Sequence, residues 1–143
     1  MDEQTRKLLE ECSSGCKMAV NSMEQVSEYI KDTKLKELAD SFTEKHRELE
    51  AETAALLNDA GNDEKAPGAA ASTFAWFTTE IKLAVNSDNT HIAKLLMDGC
   101  NMGIQTLGGY INEYKNASGQ SMNLAKDIVR TEESLMKDMQ KFL

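Results

Sequence analysis

Four side chains able to bind metal or pass protons fall near the midpoints of four different helical stretches: Cys16, His46, Cys100 and Glu132. Two thiols, one imidazole and one carboxylate are the donor types of a zinc site, soft enough to select against iron. The same four groups could instead form a hydrogen-bonded polar layer without metal. That is the expected arrangement, because spacing fixes the axial register of a helix only to about a turn. In this reading His46 is a core histidine satisfied by Glu132, Thr43 or water. Cys12 and Cys16 lie four apart on one helical face, with Cys100 on another helix, and buried cysteines of this kind behave as small hydrophobes. A Cys12–Cys16 disulfide is disfavoured because their Cβ vectors run nearly parallel. The eight methionines are expected to fill gaps in the core rather than to ligate soft metals. His91 opens a helix outside the middle layer and is assigned no role. The chain has no Gly-rich phosphate loop, no Ser-His-Asp set and no Cys-x-x-Cys pair.

The elements that must position these groups are read from periodicity. Leu35, Ala39, Phe42, His46, Leu49, Thr53, Leu56 and Ala60 recur in steps of three and four, which places them on one face of a helix over 34–60, a rod of roughly 40 Å. A helix over 3–31 carries Leu9, Cys12, Cys16, Ala19, Met23, Val26 and Ile30 in the same way. Asp32 or Thr33 caps its successor, so the turn between them takes two or three residues and forces an antiparallel hairpin. Gly61 reads as the stop of the second helix. Residues 61–72, with Gly, Pro and small side chains, read as a linker. A shorter helix over 73–86 buries Phe74, Phe77, Ile81 and Val85 as a lid, with Trp76 beside it and free for a subunit contact. A helix over 89–115, capped by Ser87 or Asp88, carries Ala93, Met97, Cys100, Ile104, Leu107, Ile111 and Tyr114. A second stripe beside it holds Ile92, Leu96, Gly99, Gly103, Thr106 and Tyr110. Its interior glycines, Gly108 and Gly109 included, cost about 1 kcal/mol each, so close approach of another backbone is expected there. The last helix, over 119–142, presents Leu124, Ile128, Thr131, Leu135 and Phe142 beside Met122, Ala125, Val129, Glu132, Met136 and Met139.

Composition sets the class. The 143 residues suit one domain, 1–143, and the single proline, Pro67, suits an all-helical chain. A net charge of −8, with lysines scattered, argues against nucleic acid and anionic membranes as partners. The opening MDEQTRK lacks the apolar core of a signal peptide, no apolar run approaches a membrane span, and three cysteines do not make a disulfide framework. The expected location is cytoplasmic.

Two hairpins joined by a long connection are the ferritin-like form of a four-helix bundle. The chain resembles the ferritin-like superfamily, and is most similar to small bacterial ferritin-like proteins without an assigned function. The likeness runs through the first hairpin, the crossover with Trp76 and Ile81-Lys82, and the second hairpin. Met97-Asp98-Gly99 looks like the corresponding helix of bacterioferritins, and Val129-Arg130-Thr131-Glu132-Glu133 like their Leu-Arg-Asp-Glu-Glu segment. The superfamily's di-iron centre takes a glutamate from each of two helices and Glu-x-x-His from each of the other two. Here Thr43 stands three before His46 and Leu135 three after Glu132, and the remaining inward stripes hold no carboxylate. The resemblance therefore implies the fold, and its gaps argue against ferroxidase chemistry. The expected protein is a non-enzymatic bundle without cofactor that self-associates, as a dimer through the glycine-bearing helix or the lid, or binds a protein partner. The competing reading is a metal or redox protein using Cys16, His46, Cys100 and Glu132.

Overall fold

The computed structural model describes residues 1–61 and 88–143. Among these residues it contains four long helices and no strand: α1 (Glu3–Ser27), α2 (Thr33–Asp59), α3 (Asn89–Glu113) and α4 (Gly119–Met139), followed by a 3₁₀ turn at Gln140–Phe142. The expected helix over 73–86, residues 62–72 of the linker, Trp76 and the cap Ser87 lie outside the described residues.

Each helix starts at a side-chain cap that satisfies an amide left free in the first turn. Asp2 Oδ1 accepts from Thr5 N at 2.9 Å, Asp32 Oδ1 from Leu35 N at 2.9 Å, Asp88 Oδ1 from His91 N at 3.0 Å and Ser118 Oγ from Ser121 N at 3.2 Å. Gly61, at φ 76°, ends α2 in the left-handed conformation that a missing Cβ makes inexpensive.

Three boundaries differ from the periodicity. α1 stops at Ser27 rather than residue 31. Tyr29 N and Ile30 N donate to Val26 O and Ser27 O, tightening the chain into a turn that still buries Ile30. Ile30 thus fits the helical stripe and a tucked turn equally well. The connection to α2 is Glu28–Asp32, longer than two or three residues, and Lys36 Nζ braces it by donating to Ser27 Oγ at 2.9 Å. α3 ends at Glu113 rather than 115, and α4 yields to the 3₁₀ turn before 142. In the last turns of α2, Leu57 is buried, Leu56 only half-buried and Ala60 exposed. A step of four after Thr53 tracks the 3.6-residue period there; the expected step of three falls short of it.

Cross-helix contacts give the chain direction. Arg47 pairs with Glu24 at 2.6 Å and Lys36 reaches Ser27, so α2 runs antiparallel to α1. Thr90 Oγ1 donates to Phe142 O at 3.1 Å and Gly103 faces Glu132, so α3 runs antiparallel to α4. Asn116 N donates to Gln4 Oε1 and Ser118 N to Thr5 Oγ1, while Cys16 lies within the electrostatic reach of Glu132. The starts of α1 and α4 therefore share one end of the bundle and the two helices run parallel. The order is up, down, down, up. It follows that the end of α2 and the start of α3 lie at opposite ends of the bundle. α4 packs on both α1 and α2, and α1 also packs on α3.

The core is two apolar bodies stacked along the axis. One, toward the α1–α2 turn, gathers Met23, Val26, Leu35, Phe42, Ile92, Leu96, Cys100, Leu135 and Met139. The other, toward the α3–α4 turn, gathers Leu8, Leu9, Cys12, Cys16, Leu49, Leu57, Leu107, Leu124 and Ile128. Along α2 the seam falls between Phe42 and Leu49. Along α4 it falls between Ile128 and Leu135.

Candidate functional site

The seam is where the polar side chains meet. His46, midway along α2, is 0% exposed, and Glu132 on α4 is 7% exposed. His46 Nε2 and Glu132 Oε1 lie 2.9 Å apart, and His46 Nδ1 lies 3.2 Å from the carbonyl oxygen of Phe42, one turn earlier. A carbonyl oxygen only accepts, so Nδ1 carries a proton and donates to Phe42. The Nε2–Oε1 bond then holds one further proton between imidazole and carboxyl. Whichever atom holds it, the pair as a unit has no net charge. Phe42 also leans on the imidazole, with ring centroids 4.1 Å apart at 39°.

α3 completes the layer from the other side. A Cβ built on Gly103 would stand 3.5 Å from Glu132 Cδ and Oε1, so the bare backbone of α3 lies over the carboxylate. The Cys100 thiol, one turn before, is pushed up by burial, by the Glu132 charge and by a hydrogen bond to Glu132. On α1, burial pushes the Cys16 thiol well up, with Cys12, Glu132 and Glu50 adding to it, and pushes Cys12 up to about 12. A thiol desolvated in this way stays protonated at neutral pH and is a poor nucleophile and a poor ligand.

The structure therefore joins His46 and Glu132 by a direct hydrogen bond, and brings Cys100 and Cys16 into the field of Glu132. Glu132 is the partner of His46 among those expected. Thr43 is not: its Oγ1 donates to Ala39 O at 2.9 Å, within its own helix. Thr53 does the same toward Leu49 O. All three cysteines are free and buried. His91 is exposed, and its backbone amide serves the α3 cap. Among the described residues no group of three or more His, Cys, Asp or Glu side chains is placed to hold a metal ion.

Periodicity alone did not reveal two members of the layer. Phe42 O is invisible to it, because a backbone carbonyl leaves no residue signature. Gly103 was visible as a costly helical glycine, yet its neighbour is the Glu132 carboxylate rather than another backbone. Among the described residues a Cβ at Gly108 or Gly109 would meet nothing within 4 Å, and the expected 73–86 helix lies outside them.

Chemically, the layer is a closed circuit. The imidazole of His46 spends one nitrogen on Glu132 and the other on Phe42, and the buried thiol of Cys100 lies in the field of Glu132. Glu132 stands between thiol and imidazole, so this is not a cysteine–histidine nucleophile pair. None of the described helices is long and apolar enough to cross a membrane. Comparison with protein-family models, curated proteins and solved structures finds no match for this chain.

Proposed function

We propose that this chain is a non-enzymatic helical-bundle protein on a ferritin-like frame, acting through its outer surface by self-association or by binding a protein partner. The observation that carries the reading is the closure of the polar layer. Its imidazole has both nitrogens engaged, its carboxylate is held by the imidazole, and its thiols are held protonated by burial. Nothing in such a layer offers a lone pair or a nucleophile to a substrate at neutral pH. The up, down, down, up order and the separation of α2 from α3 along the bundle axis support the ferritin-like frame, in which one long crossover joins two hairpins.

The competing reading, a metal or redox protein built on Cys16, His46, Cys100 and Glu132, draws on the convergence of three of these groups at the seam. Elemental analysis of protein purified without chelator separates the two. The proposed function expects less than about one tenth of a metal ion per chain, well under the single ion of a filled site. Zinc or iron near one per chain, lost on replacing His46 with Ala, would overturn it.

A further inference from the structure

We draw no further inference here: the strongest candidate, the buried cluster of His46, Glu132 and Cys100 at the seam between the two apolar bodies, belongs to the site already described.

Discussion

At the scale of single residues, the thiols govern how the protein responds to base. An unfolded cysteine loses its proton near the ordinary value of 9.0, whereas buried Cys12 holds it up to about 12, and Cys16 and Cys100 are shifted the same way. Above the ordinary value the folded state binds more protons than the unfolded one, so stability is fully present below pH 9 and falls as pH rises toward 12. The slope is about 1.4 kcal/mol per pH unit for each thiol in its window. Urea midpoints measured from pH 7 to 10.5 should therefore be flat to about pH 8.5 and then decline. In a variant with Ser at Cys12, Cys16 and Cys100 the decline should shrink. Equal alkaline sensitivity in the two proteins would show that the thiols are not its source. His46 was legible in the sequence because the inward stripe of α2 runs through it. Its second partner was not, because Phe42 contributes a carbonyl that every residue has. Of the alternatives Glu132, Thr43 and water, Thr43 is not used, because a threonine inside a helix has a carbonyl one turn back within easy reach.

At the scale of elements, the first turn of α1 is a joint as well as a cap. Thr5 Oγ1 donates to Asp2 Oδ2 at 2.8 Å and accepts from Ser118 N at 2.8 Å, while Gln4 Oε1 takes Asn116 N. The Thr5 backbone N–H, then its hydroxyl, hold the Asp2 carboxyl below its ordinary value. One hydroxyl thus ties the start of α1 to the turn that opens α4. Replacing Thr5 with Val keeps the shape and removes both bonds, and should lower unfolding stability by about 1–2 kcal/mol in urea titrations. The loss should be larger than for Thr33→Val, an exposed position at the start of α2. An equal loss at both sites would mean that the joint contributes nothing beyond an ordinary cap. Helix existence was legible everywhere in the described residues because the 3.6-residue period persists for many turns. Helix ends were not, since Ile30 satisfies the stripe and the turn alike, and the last two turns of α2 hinge on whether a step of three or four follows Thr53.

At the scale of the molecule, the bundle is two apolar bodies divided by one polar layer, and four helices contribute to that seam. That Cys16, His46, Cys100 and Glu132 sit near the midpoints of their helices was legible in the sequence, but level packing of the hairpins was not, because spacing fixes axial register only to about a turn. Whether they would share a metal or a proton was not legible either, because that depends on side-chain directions finer than a helical turn. The layer is a self-satisfied structural unit whose members matter through one another. Breaking such a pair by removing one partner leaves a buried polar group stranded, whereas replacing both with apolar side chains removes the demand altogether. The most direct measurement is a double-mutant cycle in urea unfolding with His46→Leu, Glu132→Leu and the double variant. Each single substitution is expected to cost about 3 kcal/mol or more, and the double variant clearly less than the two added together. The double variant is also expected to keep the association of the wild type. Additive losses, or a double variant that folds but no longer associates, would contradict this reading of the layer.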